Sequence, residues 1–371
     1  MRIALVHPYY AAYGGSEKVD EILGRMFPDA DPFTLFSAEA GIPASLRGRT
    51  MHRSFLQNVP GIDRIYRGLL PLFPYAAESL DLRGYDLVIS SDHGPSKGVL
   101  VDQGATHICY CHTPWRQLYD LYRVSIEKVP ALLRPVFGLS AHYLRQWDFV
   151  AAQRVGRFIA NSRYVQQRIH NFYRRDSEVI YPPVKTLDGF LSKSVDLYYL
   201  SVGRLSHTKR LDILVHACNR LNRRLVISGA GPEEQRLKAI AGPMIEFAGR
   251  VPDAELPSLY ANCRALLFAA DEDFGIVPVE AQAYGRPVIA YGYGGSLETV
   301  RIGDSQGRSD TGIFFPEQTV EAAVEGILRF EAAESIFVPT EIREHAQRFD
   351  TSVFVESFQA FVRAAMETEQ Q

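Results

Sequence analysis

Residues 181–210, YPPVKTLDGFLSKSVDLYYLSVGRLSHTKR, decide how this chain is built. The consecutive prolines Pro182 and Pro183 cannot continue a helix or sit in a central strand, so they mark a break. The pattern then restarts. Residues 198–202 (YYLSV) read as a buried strand ending at Gly203, with a helix expected from about Lys209. The alternation extends both ways. Beyond the break, residues 224–228 (RLVIS), 245–248, 265–268 and 287–290 read as strands, each followed by a helical segment. Before it, residues 2–6, 85–90 (YDLVIS), 106–111 (THICYC) and 157–160 (RFIA) also read as strands. Ser16 is expected to cap a helix running to about Phe27, and Asn161 or Ser162 one over 161–172. Strands alternating with helices imply right-handed crossovers and parallel sheets. The expectation is an α/β chain of two doubly wound domains in tandem, 1–185 and 186–352. In such sheets ligands lie beyond the carboxyl ends of the strands, and two facing sheets would enclose an interdomain cleft.

Composition narrows the partners. The chain has 371 residues, is 46% hydrophobic and 22% charged, and carries a net charge of −3, which suits two sizeable cores and no nucleic acid. The charge is uneven: residues 1–185 hold 22 lysines and arginines against 17 acids, and residues 186–371 hold 18 against 26. A basic first half is compatible with an anionic substrate or a membrane surface, or with a solvated face alone. No apolar run approaches the roughly 18 residues of a membrane span. The start, MRIALVHPYY, lacks the apolar core of a secretory signal. Four cysteines, too few for a disulfide scaffold, point to a cytoplasmic setting.

Five constellations carry chemistry. Gly203-Arg204 and Lys209 place two cations across a strand-to-helix turn, a site for a diphosphate or simply a turn with surface charge. Gly229-Ala-Gly231-Pro232 is half of a dinucleotide fingerprint, but Pro-Glu-Glu replaces the remainder and no ribose-binding acid follows, which weakens a dehydrogenase reading. Those glycines let a ligand approach the backbone or only shape the turn. In Glu272-Asp273-Phe274-Gly275-Ile276-Val-Pro278-Val-Glu280, two glutamates flank a helix start whose amides would face a ligand, and each carboxylate can accept from a diol. Asp271-Glu-Asp273 also mimics an acidic metal triplet, but no metal is expected. Cys109-Tyr-Cys111-His112 raises zinc, yet no second ligand pair exists, so His112 is either a structural histidine or one that points to the site. Finally, Gly14-Gly15 before a helix makes an anion-accepting nest or a tight turn.

In this order, together with Phe247-Ala-Gly249-Arg250-Val251, these motifs resemble the retaining glycosyltransferases of family 4, which have the GT-B fold of two Rossmann-like domains. The run Cys111-His-Thr-Pro-Trp-Arg-Gln-Leu-Tyr-Asp120 looks like the subset that builds O-antigen or exopolysaccharide, often mannosyltransferases. The resemblance implies that Arg204 and Lys209 bind the donor diphosphate after Gly203. It implies that Glu280 holds the ribose, and that Glu272 with the amides of Asp273, Phe274, Gly275 and Ile276 holds the transferred sugar. His112 would lie beside the reacting carbon and Gly15 would offer its N–H to the donor phosphate or the acceptor. Gly229 would let the donor lie close, and Arg250 and Val251 would line the base pocket. It further implies no metal and no cofactor beyond the nucleotide-sugar, and a last helix (about 353–371) that returns to the first domain. The favoured donor is GDP-mannose and the acceptor a glycan or polyprenyl-linked glycan. The alternatives are UDP-glucose or another UDP-hexose, a nucleotide-sugar epimerase or a phosphorylase of the same architecture, and a non-catalytic binder. Residues 62–75 and 129–149 mix arginine with apolar side chains, which suits peripheral contact with the inner membrane face or packing against the chain's own domain.

Overall fold

A computed structural model describes residues 1–303 and 310–369. The chain divides into two compact units, Met1–Pro183 with Phe354–Gln371, and Val184–Val353. The first holds a sheet of β1 (Ile3–His7), β2 (Asp31–Thr34), β3 (His52–Arg53), β4 (Leu87–Asp92), β5 (Thr106–Cys111), β6 (Arg157–Ala160) and β7 (Ser177–Val179). Its order is β3-β2-β1-β4-β5-β6-β7, and every pairing is parallel. Both faces are covered, so the strands are apolar on both sides. Val6 and Val88 pack with Phe33, Phe73 and Trp115 on one face. Leu5, Ile89 and Ile108 face the other way, against Tyr110 and against Phe354, Phe358 and Phe361 of the helix Thr351–Glu369. Residues 370–371 of the expected last helix lie outside the described residues.

Beneath this sheet's carboxyl edge lies a buried charge cluster. Lys97 Nζ is 2.5 Å from Asp148 Oδ1 and 3.3 Å from Asp92 Oδ2, and it donates to the Gly94 carbonyl at 2.6 Å. Burial works against its charge, but the two carboxylates hold the ammonium well above its usual range. Tyr119 and Tyr173 donate to the remaining Asp148 oxygen. Removing one partner of such a set costs about 3–5 kcal/mol, because the rest is left charged and dry.

The second unit holds β8 (Tyr198–Val202), β9 (Arg224–Ser228), β10 (Ile245–Gly249), β11 (Ala265–Phe268), β12 (Val288–Tyr291) and β13 (Gly312–Phe315), in the order β10-β9-β8-β11-β12-β13 and again parallel. Tyr199, Leu225, Ile227, Leu267, Ile289 and Phe315 form its core with the helix Leu211–Leu221. Asp350 ties the two ends of the unit together by accepting from the Thr186 amide and hydroxyl and from the Leu187 amide.

Several local expectations shift. Ser16 is not a cap: the helix Gly15–Met26 starts after Gly14, and the Ser16 hydroxyl donates to Glu17. Ser162 does cap the helix Arg163–Tyr173, accepting from the Val165 amide. The strand expected over 85–90 runs two residues later. The helix expected from Lys209 is a short 3-10 turn, His207–Lys209, and the α-helix begins at Leu211 after Arg210 in the left-handed region.

Phe358 is fully buried in the first unit's core. Phe358→Ala should lower stability by about 3–5 kcal/mol in urea unfolding.

Candidate functional site

In the second unit the candidate residues meet at the carboxyl edge of the sheet. Gly203 follows β8 with φ +143° and Gly229 follows β9 with φ +146°, a region L side chains rarely adopt. The two backbones abut: a Cβ on Gly229 would run into the Gly203 carbonyl oxygen, and one on Gly231 into that of Leu205. Backbone bonds stitch the loops. Gly203 N donates to Ser228 O at 2.9 Å, Leu205 N to Ala230 O at 3.0 Å and Gly229 N to Gly249 O at 2.7 Å. The last bond sets Arg250 and Val251 beside Gly229, Arg250 being exposed and Val251 partly buried.

Gly203, Arg204 and Lys209 line one small cavity with Ala269 and Ala270, which follow β11. Lys209 forms an ion pair with Glu272. Burial lowers the Lys209 ammonium to about 8, with Asp273 opposing the fall. The touching Glu272 carboxylate also favours the ammonium. The loop Glu272–Phe274 is locked from behind: Gly295 N donates to Glu272 O at 2.8 Å, and a Cβ on Gly295 would strike the Phe274 backbone. Phe274 is buried edge-on to Phe349.

Gly275, with φ +88°, precedes the helix Ile276–Ala283, and no side chain caps that end. The amides of the first turn are therefore oriented for an oxygen acceptor. Glu280 lies on this helix and accepts from Tyr260 at 2.7 Å. Tyr260 is buried and stacked on Tyr284, and burial pushes its hydroxyl well above the usual range, so it stays a donor and fixes the carboxylate. Neither Tyr260 nor Gly294-Gly295 was marked in the sequence. The glycine pair is the one signal that was available.

In the first unit, His112 follows β5. Its Nε2 is 2.8 Å from the Ser91 hydroxyl, its amide donates to Asp92 O, and its carbonyl accepts from Asn161. Burial, then the neighbouring His93 and His7, hold it well below the usual histidine range, so it is neutral. Cys109 and Cys111 are buried free thiols packed among Phe158, Val165 and Ile169. Gly15 opens the helix Gly15–Met26, which again has no side-chain cap.

The sequence did not disclose the group around His7. Its Nδ1 lies 2.6 Å from Asp20 Oδ2 and its Nε2 3.5 Å from Glu17 Oε1. Burial opposes its charge, but Asp20 and Glu17 outweigh burial and raise it to about 10. Burial likewise pushes Glu17 up, and His7 more than reverses this, to about 2. His93 packs edge-on to His7 and is lowered by burial and then by His7.

Two parallel-sheet units with these loops define a chain of the GT-B type. Two family models match it, Glycosyltransferase Family 4 over residues 13–186 and Glycosyl transferases group 1 over residues 188–349. Between them they take in both units, and the chain belongs to the family 4 glycosyltransferases. It is 26% identical over 253 residues to the alpha-1,3/1,6-mannosyltransferase ALG2 of Saccharomyces cerevisiae, covering 53% of this chain and 48% of that protein. It is 28% identical over 212 residues to the D-rhamnosyltransferase WbpZ of Pseudomonas aeruginosa, covering 53% of each. The chain thus spans about half the length of these curated relatives. Among solved structures, the sucrose-phosphate synthase of Thermosynechococcus elongatus superposes with a TM-score of 0.72 at 17% identity, covering 99% of this chain and 100% of that one. Anabaena HepE in complex with UDP gives 0.69 at 18%, covering 98% and 100%. Both show the same fold.

Gly229→Ala forces the Gly203 and Gly229 backbones apart. It should destabilise the protein by about 2–4 kcal/mol in urea unfolding, whereas Gly249→Ala, with open space around it, should cost less.

Proposed function

We propose that the chain transfers a hexose, mannose from GDP-mannose before others, to a growing, lipid-linked polysaccharide, with retention at the transferred carbon. The observation that carries this reading is the convergence of Arg204 and Lys209 on one cavity with Glu272 against Lys209, next to an uncapped helix that carries Glu280. A diphosphate flanked by two hydroxyl-rich groups matches that order of charges: cations for the phosphates, a carboxylate for the diol on either side. The donor diphosphate takes over Lys209 and releases Glu272 to accept from sugar hydroxyls. Tyr260 holds Glu280 ready for the ribose, and the amides of Asp273, Phe274, Gly275 and Ile276 meet the sugar. Gly229 gives the donor room, and Arg250 and Val251 flank the base.

Arg204 and Lys209 stabilise the leaving diphosphate as charge develops on it, so neither a metal nor any prosthetic group is needed for that step. The acceptor hydroxyl attacks from the face the diphosphate leaves and gives its proton to a phosphate oxygen. The names of the relatives, a mannosyltransferase and a rhamnosyltransferase, support a hexose of this kind. Among the described residues no helix is long and apolar enough to cross a membrane. Contact with a lipid surface instead falls to the exposed Leu132, Leu133, Val136 and Leu139, with Arg134 and Lys128 among them.

Nucleoside diphosphate release from a panel of GDP-, UDP- and ADP-sugars, without added metal, tests the reading. Release from GDP-mannose supports it, release from UDP-glucose alone moves the donor, and a chain that binds no nucleoside diphosphate overturns it. The ammonium is the form of Lys209 that binds phosphate. Nucleoside diphosphate affinity should therefore hold below about pH 8 and fall as pH rises beyond it, by up to about tenfold per unit. Lys209→Arg should flatten that profile in calorimetric titrations.

A further inference from the structure

We infer that the carboxyl edge of the first unit binds an uncharged sugar ring, with Glu17 as the carboxylate that receives its hydroxyl and keeps phosphorylated sugars out. The inference rests on the transferase reading and names the class of acceptor that such a chain would take. Four residues from separate places form the site. Tyr9 follows β1, Glu17 is in the first turn of the helix Gly15–Met26, His93 follows β4 and His112 follows β5. The His93 ring lies 5.2 Å from that of Tyr9 and 6.4 Å from that of His112, centre to centre. They meet where the strand order reverses, since β1 is flanked by β2 and β4. That point of a doubly wound sheet is where ligands bind.

The sequence reads Gly14-Gly15 as an anion-accepting nest or a tight turn, and the structure supplies an anion from within. A Cβ on Gly14 would lie 3.2 Å from Glu17 Oε2. The same oxygen accepts from the Ser16 hydroxyl at 3.0 Å, and the Glu17 amide bonds its own carboxylate. The carboxylate thus stands at the helix start, where the dipole favours it. A phosphate arriving there would meet a fixed negative charge. His7 does not cancel that charge. Its ring nitrogens serve Asp20 at 2.6 Å and Glu17 at 3.5 Å, so one imidazolium is shared by two carboxylates and one negative charge is left over. The neighbouring cluster repeats this balance, with Lys97 shared by Asp92 and Asp148. Arg116 and Arg168, near the loop after His112, are turned onto Asp120.

The groups beside Glu17 are neutral. His93 and His112 are half-buried, and burial, then the neighbouring imidazoles, hold each below the usual histidine range. A neutral imidazole has one nitrogen that donates and one that accepts, as a sugar hydroxyl does both. A His93 ring nitrogen and a Glu17 oxygen stand no more than 4.8 Å apart. Two hydrogen bonds of about 2.8 Å that meet on one oxygen span about 4.6 Å, so a single hydroxyl fits between them. It donates to Glu17 and accepts from His93. The Glu17 oxygens offer about four acceptor positions, which His7, Ser16 and its own amide do not exhaust. Tyr9 adds a half-buried ring, stacked on Phe36 at 5.2 Å. An aromatic wall beside a few orienting polar groups suits the apolar face of a pyranose. A phosphorylated sugar would set its charge against Glu17, and like charges brought together reject a partner.

The test uses the whole protein saturated with nucleoside diphosphate, so that only the sugar is varied. Methyl glycosides of mannose, glucose and galactose are compared with the 6-phosphates of the same hexoses by ligand-observed NMR. We expect at least one glycoside to bind, and its phosphorylated counterpart to bind more weakly. Glu17→Gln should weaken the glycoside by about 10–100-fold and bring the two ligands to similar affinity, with nucleoside diphosphate affinity unchanged. Glu17→Asp, which keeps the charge, should keep the rejection of the 6-phosphate. The proposal falls if the wild-type protein binds a 6-phosphate as tightly as its glycoside, or binds none of the glycosides. It falls equally if a folded Glu17→Gln protein keeps the wild-type preference. The wild-type comparison decides even where a variant does not fold. Nucleoside diphosphate binding is measured first, without sugar. Its loss counts against the transferase reading, whereas its presence with the wrong sugar preference counts against this inference alone.

Discussion

The carbonyl oxygen of Gly203 occupies the place where any side chain on residue 229 would have to go. The geometry of the second unit's site follows from that contact. Because nothing but backbone separates the ends of β8 and β9, the loops after β8, β9 and β10 can be joined by direct amide-to-carbonyl bonds. Lys209 is then carried across to the end of β11, where it touches Glu272. A second backbone contact, Gly295 against Phe274, does the same for the loop that bears Glu272. The polar side chains thus sit on loops that are joined through their main chain, which leaves little freedom for them to drift.

The first unit is stiffened by charge. Lys97 sits dry between Asp92 and Asp148 and donates to the Gly94 carbonyl, while two tyrosines donate to Asp148. Burying three ionised groups is expensive, and a well-packed apolar substitute would be as stable or more so. What the cluster gives in return is a fixed direction for the turn after β4, which an apolar core would leave free to slide. His93 is on that turn, and the His7 and His112 rings are arrayed around it.

Much of the frame was legible in the sequence because buried parallel strands are short apolar runs with glycine or proline at their ends. The runs at 106–111, 157–160, 198–202, 224–228 and 265–268 are of that kind and are strands. β2, with the sequence DPFT, was not legible, since aspartate and proline open it. β3 is only His52 and Arg53, exposed and paired to β2 alone. Candidate residues on one loop and the helix it leads into, such as Glu272 and Glu280, stand out by their spacing. The group of His7, Glu17, Asp20 and His93 does not, because its members come from three elements that only the sheet order brings together. Tyr260 was hidden for a related reason: it acts on Glu280 from a separate helix, and nothing local distinguishes it from a core tyrosine.

The helix Thr351–Glu369 lays Phe354, Phe358 and Phe361 into the core of the first unit, beneath Tyr110. During synthesis, residues 1–183 leave the ribosome without part of the layer that covers one face of their sheet, the helix Gly15–Met26 supplying the rest. The part left for Phe354, Phe358 and Phe361 stays open to water and to other chains while some 170 residues of the second unit are made. The first unit is thus completed only after the second has been made. Its early life is the interval in which a chaperone has apolar surface to hold.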